Sequence, residues 1–134
     1  MLSETSGSFL IELPWPPSEL SPNKRLHWAA LSKHKHRYRE ACCAATPRLP
    51  VPDGPLSVSL TFFRPDRRSY DRDNLLARMK AGLDGMCDSL GIDDKRFSVI
   101  TIRVSDVVVK GGSVYVAVSK DNQKKHEEDL RPVR

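Results

Sequence analysis

The stretch Asn74-Leu75-Leu76-Ala77-Arg78-Met79-Lys80-Ala81-Gly82-Leu83-Asp84-Gly85-Met86-Cys87-Asp88-Ser89-Leu90 decides how the rest of the chain is read. At about 100° per residue, Leu75, Leu76, Met79, Leu83, Met86, Cys87 and Leu90 fall within an arc of about 120°. Asp73, Lys80 and Asp84 project together, off that stripe, within about 40°. This pattern predicts an amphipathic helix over about Asn74 to Leu90, with Gly91 as its stop. Gly82 and Gly85 weaken the helix, but the apolar stripe outweighs them.

Strands surround that helix. Before it, Leu56, Val58, Leu60 and Phe62 alternate with Ser57, Ser59 and Thr61, the pattern of a half-buried strand. After it, Phe97 to Val109 is β-branched and apolar, broken only at Ser105-Asp106. A turn at Lys110-Gly111-Gly112 and the alternating Val114, Val116 and Val118 then predict a β-hairpin. Near the start, Ser8 to Leu13 is a short strand that ends at Pro14-Trp15-Pro16-Pro17, because proline cannot donate to a ladder. Leu26 to Ala45 is a second helical segment, with Trp28, Leu31, Tyr38 and Ala41 as expected core contacts. The prolines from Pro47 to Pro55 form a loop. The order is β-α-β-α-β-β. Right-handed crossovers turn it into an α+β fold, a two-layer α/β sandwich with a mixed four-stranded sheet.

A chain of 134 residues makes one small domain, long enough to bury about two-thirds of its unfolded surface. Residues 1–7 are polar and are expected to be flexible; with Glu4 among them they do not read as a secretory signal. The charged stretch 120–134 has too little apolar content to pack and is expected to be disordered. No run approaches the roughly twenty apolar residues needed to cross a bilayer, so no membrane partner is expected. Three cysteines, two of them adjacent at Cys42-Cys43, imply no disulfide framework and point to a reduced, cytoplasmic protein. The spacing of His34, His36, Cys42 and Cys43 matches no zinc pattern.

The formal charge of +5 is concentrated in one place. Lys24, Arg25, Lys33, Lys35, Arg37 and Arg39 lie in a segment without a single acid, together with His27, His34 and His36. With those six set aside, 16 cations face 17 acids. A local basic segment on an otherwise neutral domain points to a polyanionic partner, most simply nucleic acid; a solvated helix face is the plainer reading.

Acidic residues flank the central helix at both ends. Asp71 and Asp73 share one side of the chain if it is still extended there, and Asp93-Asp94 follow the helix. Oxygen-only ligands of this kind suit Mg²⁺ or Mn²⁺, ions that catalyse phosphodiester hydrolysis. Lys80 could stabilise the transition state or orient the nucleophile. Each residue also has an ordinary use. Asp73 can be a helix N-cap, Asp93-Asp94 a turn, and Lys80 an i+4 partner of Asp84.

Taken together, several runs resemble the RusA family of Holliday-junction resolvases of bacteria and their phages. These are Leu13-Pro14-Trp15-Pro16-Pro17-Ser18, Asn23-Lys24-Arg25-Leu26-His27-Trp28, Pro65-Asp66-Arg67-Arg68, Asp71-Arg72-Asp73-Asn74-Leu75, Lys80-Ala81-Gly82-Leu83-Asp84 and Asp93-Asp94. The resemblance spans Leu13 to about Ser119 and implies a RusA-like nuclease domain over residues 8–119. It further implies a homodimer that nicks opposing strands of a four-way DNA junction with Mg²⁺ or Mn²⁺, in a bacterial cell or a phage-infected host.

Carried over residue by residue, the resemblance makes Asp71, Asp73 and Asp94 the metal-binding carboxylates and Lys80 a catalytic lysine. Lys80 lies further from Asp73 than in the family pattern, yet at seven residues it stays on the same helix face. Lys24, Arg25, Lys33, Lys35, Arg37, Arg67, Arg68 and Arg72 would neutralise junction phosphates. Two alternatives remain open: a non-catalytic, structure-selective DNA-binding protein, and a metal-dependent nuclease acting on other branched DNA.

Overall fold

The computed structural model describes residues 8–122 and 130. Four strands and two long helices follow in the expected order: β1 (Ser8–Pro14), α1 (Trp28–Ala45), β2 (Leu56–Phe63), α2 (Arg72–Leu90), β3 (Phe97–Ser105) and β4 (Ser113–Lys120). Single turns of 3-10 helix at Ser18–Leu20 and Asp94–Arg96 precede α1 and β3. The architecture is a two-layer α/β sandwich on a mixed four-stranded sheet.

The sheet order is β1-β4-β2-β3. β4 is antiparallel to both β1 and β2, whereas β3 runs parallel to β2. The expected β3–β4 hairpin is therefore not formed. Its turn exists, with Gly112 N–H donating to the Val109 carbonyl at 2.8 Å. However, β2-α2-β3 is a crossover unit that sets β3 down parallel beside β2, so the returning strand pairs with the other edge of β2. β3 also ends at Ser105 instead of Val109, and Val107 to Val109 remain exposed. The two crossovers, β1 to β2 and β2 to β3, advance in the same direction across the sheet, so one handedness rule puts both helices on one face.

That face holds the core. Phe9, Ile11 and Leu13 of β1, Leu56, Val58, Leu60 and Phe62 of β2, and Val114, Val116 and Val118 of β4 are buried against Tyr38 and Cys42 of α1 and Leu75, Met79, Leu83 and Met86 of α2. α1 departs from expectation in two side chains. Trp28 is 76% exposed and Ala41 lies on the solvent side, while Cys42 takes the buried place. The helix starts two residues later than expected because His27 caps it, its Nδ1 accepting from Ala29 N–H at 3.3 Å.

α2 touches α1 closely enough to explain its glycines. A Cβ at Gly82 would overlap the Tyr38 ring and Cys42 Sγ, and one at Gly85 would collide with the Arg39 carbonyl. The residues that weaken α2 as an isolated helix are those that let α1 approach it. An ion pair reinforces the pairing, Arg39 gripping Asp88 through Nε at 2.7 Å and Nη2 at 2.9 Å. The Tyr38 hydroxyl donates to the Pro14 carbonyl at 2.7 Å and ties α1 to β1.

The apolar stripe of α2 is buried as expected, apart from Leu76 and Leu90, which are half-buried. At the other end of the domain, Lys120 belongs to β4, and Asp121 N–H donates to the Pro55 carbonyl at 3.0 Å, so ordered structure passes the boundary expected at 119. The expectations for residues 1–7 and for the remainder of the tail lie outside the described residues.

Candidate functional site

The two acidic pairs divide their work in the same way. Asp71 is the N-cap of α2, its Oδ1 accepting from Asp73 N–H at 3.2 Å. The capping role expected of Asp73 belongs to Asp71, because the helix begins at Arg72, two residues before Asn74. Asp73 therefore sits in the first turn, where a carboxylate is favoured by the helix dipole. At the far end, Asp93 caps the turn Asp94–Arg96, its Oδ1 accepting from Lys95 N–H at 2.9 Å. That backbone bond, together with a bond to Asp94, holds the Asp93 carboxyl below its usual range. In each pair the first aspartate caps and the second is left over.

The aspartates left over share a cavity. Asp73 and Asp94 line one cavity of about 400 Å³ between α2 and β3, with Lys80 and Asp84 beside them. Leu76, Leu83, Phe97 and Ile100 supply its apolar walls. Asp71 is not among its lining residues. Lys80 and Asp84 form no ion pair, and no salt bridge engages Asp73, Asp84 or Asp94 among the described residues. Sequence reasoning places Asp84 on the face of Asp73 and Lys80 and offers it only as an i+4 partner of Lys80, a pair the structure does not form.

A hard divalent ion asks for oxygen donors, and Mg²⁺ commonly takes only one or two carboxylates and completes its shell with water and phosphate oxygens. The chemistry of Asp73 and Asp94 fits that demand. Among the described residues, no three His, Cys, Asp or Glu side chains stand close enough together to hold a metal. The histidines and cysteines of α1 follow other uses. His27 caps the helix, and His36 Nε2 lies 2.8 Å from Glu40 Oε1. Burial raises the Cys42 thiol to about 11 and Cys87 to about 12, so both stay protonated at neutral pH.

The basic residues are exposed throughout. Lys24 and Arg25 precede α1, and Lys33, Lys35 and Arg37 stand on its solvent face. Arg67, Arg68 and Arg72 surround the start of α2. Arg68 is partly engaged, its Nε 3.2 Å from Asp66 Oδ2. Lys80 and Asp84 tie the two charged regions together. Lys80 lines the acidic cavity and also a second pocket, of about 230 Å³, which it shares with Lys35.

The segments before α1 and α2 have visible structural duties. Trp15 packs edge-on against Phe62 and Tyr70, with ring centroids 5.9 and 5.3 Å away. Asn74 Nδ2 donates to Ser21 Oγ at 2.9 Å, joining the segment before α1 to the start of α2. Sequence reasoning gives Arg78 no role, yet it is buried on α2 and bonds the Pro16 carbonyl through Nη2 at 2.6 Å. Its position on the helix, one residue from Met79, is the only signal that could have flagged it.

No protein-family profile matches the chain. Among solved structures, the periplasmic domain of Helicobacter pylori MotB covers 98% of this chain and 99% of its own, at 13% identity and a TM-score of 0.38, too loose to bear on function. A protein of Xylella fastidiosa (strain Temecula1 / ATCC 700964), described as an "Uncharacterized protein", is 39% identical over 116 residues, covering 81% of this chain and 74% of that one. At that identity and coverage, the chain belongs to the same family as the Xylella fastidiosa protein.

Proposed function

We propose that this protein is a RusA-like, Mg²⁺- or Mn²⁺-dependent endonuclease that resolves four-way DNA junctions in recombination and repair. The observation that carries the reading is the cavity lined by Asp73, Asp84, Asp94 and Lys80, adjoining through Lys80 and Asp84 the pocket that Lys35 of the basic helix lines. Carboxylates beside a strongly basic surface are what a phosphodiesterase needs, an acidic site for the ion and cations for the substrate.

Asp73 and Asp94 would hold the ion, which when bound supplies Lewis-acid activation at the scissile phosphate. Lys80 would offset charge that develops on the phosphoryl oxygens. Asp71 contributes by fixing the start of α2 and hence the placement of Asp73. The exposed cations of α1 would neutralise backbone phosphates, and the exposed Trp28 at its head offers a ring for base stacking. Self-association has its own support. β3 is an edge strand of nine residues without proline, with Ile100 exposed within it and Val107 to Val109 exposed after it, the sort of edge that pairs with another copy.

The test is a synthetic four-way junction incubated with Mg²⁺ or Mn²⁺. Paired nicks in the wild type, lost in Asp94→Asn while binding persists, are the expected result. Lys80→Ala should slow cutting more than it weakens binding. Absence of nicks with either ion would favour the non-catalytic binder, a reading supported by Asp71 and Asp93 acting as caps and by no three-carboxylate cluster among the described residues. Flap or other branched DNA cut faster than the junction would redirect the substrate assignment.

A further inference from the structure

Arg78 is the only charged side chain buried among the described residues, with 7% of its surface exposed. Its Nη2 donates to the Pro16 carbonyl and its guanidinium lies 5.9 Å from the centre of the Trp15 ring. Its Nε is enclosed and has no hydrogen-bond partner among the described residues. No carboxylate there forms an ion pair with it either. A buried cation without a counter-charge is costly, and arginine does not escape by losing its proton.

Arg78 forms part of the wall of the 230 Å³ pocket between α1 and α2. Lys35 comes to that wall from α1 and Lys80 from α2, with Leu20, Ala77, Ala81 and Asp84 completing it. Three cations thus face one carboxylate, and neither lysine is in an ion pair among the described residues. Glu19 acts on Arg78 only as a weaker, more distant charge. The surplus is positive, it is partly desolvated, and the pocket can hold a small tetrahedral anion.

We propose that this pocket binds a phosphate group, gripped by Lys35 and Lys80 with the charge of Arg78 behind them. The group can come from a nucleic-acid backbone or from a small phosphorylated molecule. The proposal deepens the nuclease reading, in which Lys80 and the α1 cations already meet phosphate oxygens; because binding here requires neither a metal nor hydrolysis, its failure is distinguishable from a failure of cutting.

The test is an amide NMR titration of the full chain with inorganic phosphate against chloride at constant ionic strength. Saturable shifts confined to residues 77–84 and the neighbourhood of Lys35 are expected. Lys35→Ala should weaken binding about fivefold, equivalent to about 1 kcal/mol. Lys35→Glu should remove it, with the fold unchanged because Lys35 is exposed. Absence of saturable shifts, or shifts of equal size in Lys35→Glu, would overturn the proposal. A short DNA duplex separates the sources. Displacement of phosphate at the same amides identifies a backbone phosphate, and DNA binding that leaves those amides unmoved identifies a small phosphorylated ligand.

Discussion

Two hollows that share Lys80 and Asp84 differ in the balance of charge around them. The one between α2 and β3 is lined by three aspartates over apolar walls, two from α2 and one from the turn before β3. The one between α1 and α2 is smaller, carries three cations, and depends on two helices packing through glycine. The difference teaches that a single helix can serve two chemistries when its opposite flanks face different partners. It also means that the two hollows have different weaknesses, since one depends on caps and the other on helix contact.

The largest effect should come from the acidic side. Asp73→Asn and Asp94→Asn are each expected to reduce junction cutting to background in a nicking assay while leaving DNA affinity nearly intact. If either variant lost binding and cutting in parallel, the separation between an acidic reaction site and a basic binding surface would fail. Gly85→Ala is expected to act on the other hollow. It forces α1 away from α2 and should lower stability by about 3 kcal/mol in chemical denaturation.

A subtler comparison lies within the acidic pairs. Asp71→Ala should cost about 1 kcal/mol of stability as a lost N-cap. Asp73→Ala should cost a smaller amount, because Asp73 contributes only through the helix dipole. The reverse order in thermal denaturation would mean that the cap and the cavity residue have been exchanged. The smallest effect concerns pH. The Arg39 guanidinium beside Asp88 holds that carboxyl below its usual range. Its contribution to the α1–α2 pairing is therefore present above the ordinary carboxylate pKa and lost as pH falls through the depressed value. Asp88→Asn should flatten the acid limb of the melting temperature against pH, and a wild-type slope in the variant would assign that limb to other carboxylates.

Much of this architecture is legible in the amino-acid order. The α2 stripe from Leu75 to Leu90 and the alternation from Leu56 to Phe62 each state a period and a buried face, and the fold follows both. The departures have identifiable causes. Trp28 reads as a core residue because it is large and aromatic, but it opens the helix on the side away from the sheet. Lys110-Gly111-Gly112 is a good turn and so predicts a β3–β4 hairpin, yet a turn says nothing about which edge the next strand meets. The charge of Arg78 argues for exposure, whereas Trp15 and Pro16 cover it.

The sequence alone determined the elements, their apolar faces and the concentration of positive charge between Lys24 and Arg39, because these depend on residues within a few positions of one another. Only the tertiary structure decided that β4 would sit between β1 and β2, that Asp73 and Asp94 would share a wall while Asp71 and Asp93 turned to backbone amides, and that Arg78 would be enclosed beside Lys35. Those outcomes depend on contacts between segments far apart in the chain, where crossover geometry and competition for hydrogen bonds outweigh local preference.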